Sequence, residues 1–178
     1  MKGFELIPYV EYQGTRSLSE RTIYEIWRAL QKTGLDKLVF YGDDIGNEFE
    51  FLTMCKNPRN LIHFVVNEEK QPVHIAWLNT WGPNYAMAHF MFFPEVWGKC
   101  TKELGKMTLD YWFSLPTDSP LDVILGQVPA VNRMAIEFVK KLGFTELGTI
   151  PLMGHGSDPA KKCGDTFMYL TRGQHGKE

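Results

Sequence analysis

The chain alternates strand-like and helix-like segments in an order that few folds accommodate. Residues 60–69 and 71–81 flank a polar turn and predict an antiparallel hairpin, which residues 84–93 extend. A helical segment, 101–113, and a continuously apolar run, 121–128, then predict a crossover to a buried strand. The whole order is β-α-α-β-β-β-α-β-α-β-β. It predicts an α/β (α+β) fold whose mixed, mostly antiparallel central sheet has helices on both faces.

Capping signals predict the ends of several helices. Ser17, with Glu20 three residues later, forms a predicted capping box for the first helix, and Gly34 suits its C-terminal end. A second helix is predicted over residues 48–56. For a later helix, the apolar period predicts an inward face made of Met134, Ala135, Phe138, Val139 and Leu142.

Length and composition restrict the class of protein. With 178 residues and 44% apolar residues, the chain is predicted to form one domain, 1–178, whose polar end, 171–178, frays. Its net charge of −2, with dispersed Lys and Arg, disfavours nucleic-acid binding. The sequence shows neither a membrane-span-length apolar run nor a signal peptide. The odd number and wide separation of the cysteines favour a reducing cytoplasm. Three separated cysteines and five histidines lack disulfide or metal-ligand spacing, so no metal site is predicted.

The junction between strand 84–93 and helix 101–113 is a candidate anion site. Its sequence, FFPEVWGKCTKELG, leads from an aromatic strand through Pro94 into a loop that contains Gly98 and Lys99. The first N–H groups of a helix lack intrahelical partners, and the helix dipole favours an anion beside them. Glycine permits positive φ and lets the backbone approach a ligand closely. The alternative is an ordinary turn that starts a helix and leaves its lysines in solvent.

Two stretches are similar to sequences of a known superfamily. NRMAIEFVKKLGFTELG is similar to a helix and the strand after it, with matches at Asn132, Ala135, Phe138, Lys141, Gly143, Phe144 and Gly148. PEVWGKCTKELG is similar to a pyrophosphate-binding loop, with matches at Pro94, Trp97, Gly98 and Lys99. Together with the order of elements, these stretches resemble the GNAT (Gcn5-related N-acetyltransferase) superfamily over roughly residues 4–171. The loop is nearest to the ribosomal-protein N-terminal acetyltransferase type, and small phage and prophage GNAT-like proteins are a looser likeness.

The resemblance implies a binding site for acetyl-CoA. GNAT proteins bind its diphosphate at the loop, here Trp97, Gly98, Lys99, Cys100, Thr101 and Lys102, where residues 98–102 would supply backbone amides. They bind the pantetheine arm along the preceding strand and at the start of a later helix, where the matching residues are Phe90, Met91, Phe92 and Asn132. The alternatives are core packing for the three strand residues and helix N-capping for Asn132.

The chain departs from the superfamily pattern at several positions. Trp97 replaces the usual Arg or Gln, Cys100 stands where the central glycine is expected, and Lys102 replaces Gly or Ala. The Cβ of Cys100 is expected to clash with a diphosphate or to force another backbone path. Val139 occupies the position of the tyrosine that many members use as the acid.

His89, on strand 84–93, is the predicted general base. The unperturbed pKa of histidine, about 6.5, lies near working pH. Asp122, Gln127 and Glu103 are the other candidates near the predicted cleft. Because side chains alternate along a strand, whether His89 faces that cleft stays open.

The predicted function is acyl-CoA-dependent N-acyl transfer, which moves an acetyl group from acetyl-CoA to an amine. The expected acceptor is a small molecule, a protein N-terminus or a lysine, and neither nucleic acid nor a membrane is an expected partner. The alternative is a catalytically inactive GNAT-like domain with a binding or assembly role. The altered loop and the missing tyrosine favour that alternative.

Overall fold

The computed structural model of the chain describes residues 3–40, 45–116, 120–155 and 162–176. Within these ranges the strands are β1 (Phe4–Pro8), β2 (Glu11–Tyr12), β3 (Thr15–Arg16), β4 (Leu61–Asn67), β5 (Pro72–Asn79), β6 (Tyr85–Phe92), β7 (Val123–Pro129), β8 (Thr145–His155) and β9 (Lys162–Thr171). The helices are α1 (Glu20–Thr33), α2 (Leu35–Val39), α3 (Glu48–Lys56), α4 (Thr101–Phe113), α5 (Arg133–Lys141) and α6 (Arg172–His175), and a 3-10 turn spans Pro94–Val96.

Seven of these strands form one sheet in the hydrogen-bonded order β1-β4-β5-β6-β7-β9-β8, while β2 and β3 form a separate hairpin. The β1–β4, β7–β9 and β8–β9 pairs are antiparallel, whereas the β6–β7 pair is parallel. The predicted fold class, a mixed and mostly antiparallel sheet with helices, is confirmed.

The chain divides into two compact units, which we describe separately. The first consists of Met1–Trp77 and Phe90–Lys99, and the second of Leu78–His89 and Cys100–Glu178. Both β5 and β6 run from one unit into the other along the chain. The single domain expected from chain length stays a prediction.

In the first unit, α1 buries an apolar stripe against α3. Trp27 is fully buried, and its ring centroid lies 5.4 Å from that of Phe51. The helix ends at Gly34, which has φ +72° as its predicted role requires. Its N-cap, however, is Ser19, whose hydroxyl accepts from the Thr22 N–H, so the predicted cap at Ser17 is wrong. The Ser17 hydroxyl instead accepts from the Val10 N–H across the small β2–β3 hairpin.

In the second unit, α4 and α5 approach each other closely at Gly105. A Cβ built there would lie 2.8 Å from Cδ1 of Leu142 and 3.0 Å from Cζ of Phe138. The inward face of α5 contains Ile136 and Val139. Met134, which the period placed on this face, lies in the first turn of α5 and is 81% exposed, so that assignment was wrong.

The end of α4 is fixed by Arg172, which lies just after β9. Its guanidinium donates hydrogen bonds to the carbonyls of Phe113 and Leu121 and lies over the Phe113 ring. Thr171 and Gln174 form a capping box for α6. Residues 172–175, which we expected to fray, are therefore helical, and residues 177–178 lie outside the described ranges.

The close approach at Gly105 predicts a destabilising Gly105→Ala substitution. We expect the free energy of unfolding to fall, because overpacking costs about 1–3 kcal/mol and exceeds the ~1 kcal/mol gain in helix propensity. Urea unfolding followed by circular dichroism measures the difference. The matched control is Gly173→Ala in α6, where a Cβ meets no atom within 4 Å. Equal stability of the Gly105 variant and the wild type would contradict the tight α4–α5 contact.

Candidate functional site

The ladder between β6 and β7 ends early. Its pairs are Tyr85 with Val123, Ala86 with Ile124 and Met87 with Leu125, and β6 then runs on for five more residues. On its other edge, β7 stays paired with β9 as far as Pro129 and Asp165. In the described ranges the pairs between β6 and β7 thus end at Met87 and Leu125, and the cleft expected at this point stays a prediction.

The part of β6 that lies in the first unit contains Phe90, Met91 and Phe92. Met91 is 2% exposed, so its side chain packs in the core, which was the alternative for this residue. Its carbonyl accepts a 2.8 Å hydrogen bond from Nδ1 of His74, and the His74 ring stacks on Phe92 with 4.1 Å between centroids. The carbonyl of Phe92 accepts from Nε1 of Trp97 at 2.9 Å. Buried His74 and exposed Trp97 thus hold this end of the strand.

The loop after the 3-10 turn is open to solvent at Trp97, Gly98 and Lys99. Gly98 has φ +67°, a conformation that favours glycine. The Lys99 N–H donates to the carbonyl of Val96 at 3.1 Å as the turn closes. Lys99 was expected to offer its amide to an anion, but that amide is engaged, so its ammonium group is the part that stays available.

The helix that follows begins without a capping side chain. Its N-cap, Cys100, makes no side-chain cap hydrogen bond, and the first helical bond runs from the Leu104 N–H to the Cys100 carbonyl. The N–H groups of Thr101, Lys102 and Glu103 precede that bond and have no acceptor within the helix. Cys100 has φ −133°, so its backbone does not require the glycine of the superfamily pattern. The geometry at this helix start suits an anion.

His89 lies two residues beyond the last β6–β7 pair, on the face of β6 that also carries Met87. Its Nε2 lies 3.1 Å from Oδ1 of Asn79, so Nε2 carries the hydrogen. Burial lowers the pKa of His89 to about 4. The expectation of a pKa near working pH was therefore wrong: His89 is neutral at pH 7 and is a weaker base than an exposed histidine.

The other candidate bases have different surroundings. Asp122 lies 3.9 Å from Nε of Arg172 and accepts from Asn84, so it belongs to the region around the end of β9. Glu103 is exposed in the first turn of α4. Gln127 donates from its side-chain nitrogen to Oδ2 of Asp165 at 2.5 Å.

Sequence reasoning missed Asp165. It is 1% exposed and is the one Asp or Glu of β9, in a strand that otherwise carries mainly apolar and hydroxyl side chains. A carboxylate inside such a segment is the signal that would have found it, because Asp and Glu are almost never fully buried unless they are paired.

Asn132 caps α5, because its Oδ1 accepts from the Ala135 N–H at 3.1 Å. That is the alternative role considered for this residue. Contact with a cofactor stays a prediction, and the Asn132 amide nitrogen is the group that would make it.

The described residues contain no group of three or more His, Cys, Asp or Glu side chains arranged to hold a metal ion. None of their helices is both long and apolar enough to cross a membrane.

Solved structures with a similar fold are acetyltransferases. One is a chimera of the spermidine N-acetyltransferase SpeG from Vibrio cholerae and hSSAT, with a TM-score of 0.74 at 17% identity over 99% of this chain and 100% of that chain. Another is the Vibrio cholerae spermidine N-acetyltransferase in complex with CoA and spermine, with a TM-score of 0.73 at 16% identity over 96% and 97%. The predicted GNAT fold is thereby confirmed. No protein-family model matches the chain, and no curated protein matches it in sequence.

The buried ring of His74 predicts how stability depends on pH. Burial lowers its pKa to about 4, whereas an unfolded chain takes up this proton near pH 6.5. Protonation therefore favours the unfolded chain as the pH falls from about 6.5 to about 4. His74→Phe keeps an aromatic ring beside Phe92 but cannot take up this proton. As the pH falls, we expect its free energy of unfolding to decrease less steeply than that of the wild type, by up to about 1.4 kcal/mol per pH unit. Urea unfolding at pH 7, 6 and 5 tests this, and parallel pH curves for the two proteins would refute it.

Proposed function

We propose that the chain transfers an acetyl group from acetyl-CoA to an amine. One observation carries the proposal: the β6–β7 ladder ends early, and the chain then leads through an exposed loop into the uncapped start of α4. In a GNAT fold this order supplies strand backbone for the pantetheine arm and then helix amides for the diphosphate.

The diphosphate would be bound by the start of α4. The N–H groups of Thr101 and Lys102 would donate to its oxygens, and the helix dipole would add to the attraction. The ammonium groups of Lys99 and Lys102 are both exposed and would supply positive charge. Gly98 would turn the chain so that no side chain stands between the loop and the anion.

The pantetheine arm would lie along Phe90, Met91 and Phe92. The hydrogen bonds from His74 and Trp97 hold the backbone of this strand in place before any ligand binds, which lowers the entropy lost on binding. They also occupy the carbonyls of Met91 and Phe92, so the arm would bond to other backbone groups of the strand.

His89 is our candidate to accept the proton of the amine. Acetyl-CoA brings its own activated thioester, so the protein needs to bind, orient and move one proton. At neutral pH His89 is unprotonated, as a base must be, although its pKa of about 4 makes it a weak one. Val139 stands in place of the superfamily tyrosine, so the proton that His89 takes from the amine would pass, directly or through water, to the departing thiolate and leave His89 neutral again.

The acceptor we favour is a small aliphatic amine. Support comes from the two similar structures, which are spermidine N-acetyltransferases, one of them bound to CoA and spermine. A protein N-terminus or a lysine is the second class of acceptor.

A second candidate function is binding or assembly without catalysis. The engaged Lys99 amide, Cys100 in the place of a glycine, and Val139 in the place of the tyrosine favour it. It differs from the first proposal in whether acetyl-CoA binds and turns over.

Calorimetry with acetyl-CoA separates these functions. We expect saturable binding, weakened about tenfold or more in the double variant Lys99→Ala/Lys102→Ala, because two cations near the diphosphate are lost. The same variant is expected to bind acetyl-pantetheine, which lacks the diphosphate, as the wild type does. Lys37→Ala, in α2, is the matched control and is expected to change neither affinity.

Two results would count against the proposal. If millimolar acetyl-CoA produces neither heat in calorimetry nor a thermal shift, the proposal is refuted. Binding that appears only after Cys100→Gly/Lys102→Gly would favour the inactive domain.

A further inference from the structure

Asp165 is a buried carboxylate to which acetyl transfer, as described above, assigns no role. Its Oδ2 accepts from Gln127, and among the described residues its Oδ1 has no hydrogen-bond partner. Taking a carboxylate out of water is unfavourable unless it is well hydrogen-bonded or matched by a positive charge. The described residues place no ion-pair partner beside it, so Asp165 retains capacity for a further favourable interaction.

The fold makes room for this carboxylate. Ile150 on β8 is paired with Asp165, and the β8–β9 register then shifts before Gly154. A Cβ at Gly154 would lie 1.8 Å from Oδ1 of Asp165, so any other residue at that position would displace the carboxylate. An irregularity in an edge strand that re-aims its side chains is commonly a built feature near a functional site.

Asp165 fixes the orientation of the Gln127 side chain. A carboxylate accepts hydrogen bonds and does not donate them, so the amide nitrogen of Gln127 must face it. The amide oxygen of Gln127 therefore faces away from Asp165. Gln127 is exposed, and it presents to solvent a hydrogen-bond acceptor that has a negative charge behind it.

This acceptor lies on the same sheet face as His89. Met87 is paired with Leu125, and His89 and Gln127 each lie two residues further along their strands. Because side chains alternate along a strand, His89 and Gln127 project from the same face of β6 and β7. Asp165 is opposite Pro129, two residues beyond Gln127, so it projects to that face as well.

We propose that Gln127, oriented by Asp165, binds a second, protonated nitrogen of the acceptor. The proposal rests on the acetyl-transfer function and narrows its substrate class to diamines and polyamines. The Gln127–Asp165 pair is not expected to bind the reacting nitrogen, because that nitrogen must lose its proton before it attacks. A negative charge stabilises the ammonium form and would slow that nitrogen, whereas a non-reacting ammonium group gains from it. Gln127 is then a specificity-determining residue and Asp165 a positioning residue.

Acetylation of two matched amines tests the proposal. The probes are 1,4-diaminobutane and n-butylamine, which share the reacting primary amine and differ in the second nitrogen. For Asp165→Asn we expect KM for 1,4-diaminobutane to rise about tenfold with kcat changed less than about twofold, because a charge-assisted interaction is lost. The kinetics of n-butylamine are expected to stay as in the wild type. Glu146→Gln, a charge removal elsewhere in the second unit, is the control and is expected to leave both amines unaffected.

A second variant separates recognition from folding. Asp165→Asn/Gln127→Glu keeps one amide facing one carboxylate and moves the charge to the exposed position, so we expect the preference for the diamine to return. Thermal unfolding of each variant runs in parallel. A lower Tm for Asp165→Asn with an unchanged KM for 1,4-diaminobutane would show a purely structural role and overturn the proposal, as would an equal rise in KM for both amines.

Calorimetry keeps this inference distinct from the acetyl-transfer function. 1,4-Diaminobutane is titrated into the full chain in the presence of CoA, where no transfer occurs. Binding to the wild type that weakens in Asp165→Asn would support the recognition pair even if neither amine is acetylated, a result that would sink the acetyl-transfer function alone. Absence of binding to the wild type would overturn the inference.

Discussion

The short parallel ladder between β6 and β7 is the constraint on which the candidate site depends. Three residue pairs join these strands, whereas β7 is paired with β9 along its whole length. An unmade strand pairing leaves backbone groups that water or a ligand must satisfy. Here the carbonyls of Met91 and Phe92, beyond the ladder, accept hydrogen bonds from His74 and Trp97, and β6 remains paired with β5 in the sheet. The chain then passes directly from that strand into the loop at Gly98 and the start of α4.

Features encoded in neighbouring residues were predictable from the sequence. The limits predicted for α3 and α4 agree with the structure, because periodicity and capping depend on residues a few positions apart. Features that depend on contacts with residues further away in the chain were not predictable. Ser17 and Ser19 are both good N-cap residues. The Ser17 hydroxyl accepts a hydrogen bond from the Val10 N–H, seven residues earlier, and Ser19 caps the helix instead. Met134 fits the apolar period of α5, but it lies in the first turn of the helix and is exposed.

The same division holds for the candidate site. The loop at Gly98 and the helix that begins after it follow from a stretch of a few residues, and the sequence predicted both. The pKa of His89 depends on how deeply the fold buries the ring, which a sequence does not reveal. Asp165 accepts a hydrogen bond from Gln127, 38 residues earlier in the chain, because the pairing of β7 with β9 places both side chains on one face of the sheet. Local patterns identify elements, whereas pairing between elements decides which polar groups meet.

The proposed acceptor has two nitrogens with different needs. One nitrogen must be neutral to attack, and we propose that His89, kept unprotonated by burial, takes its proton. The other nitrogen would stay protonated, and the proposal gives it a negative counterpart in the carboxylate of Asp165, acting through the oriented amide of Gln127. A single charged group near both nitrogens would stabilise both as ammonium ions and oppose the reaction. Two different polar groups on one sheet face, a neutral ring and an amide with a carboxylate behind it, would allow each nitrogen its own protonation state.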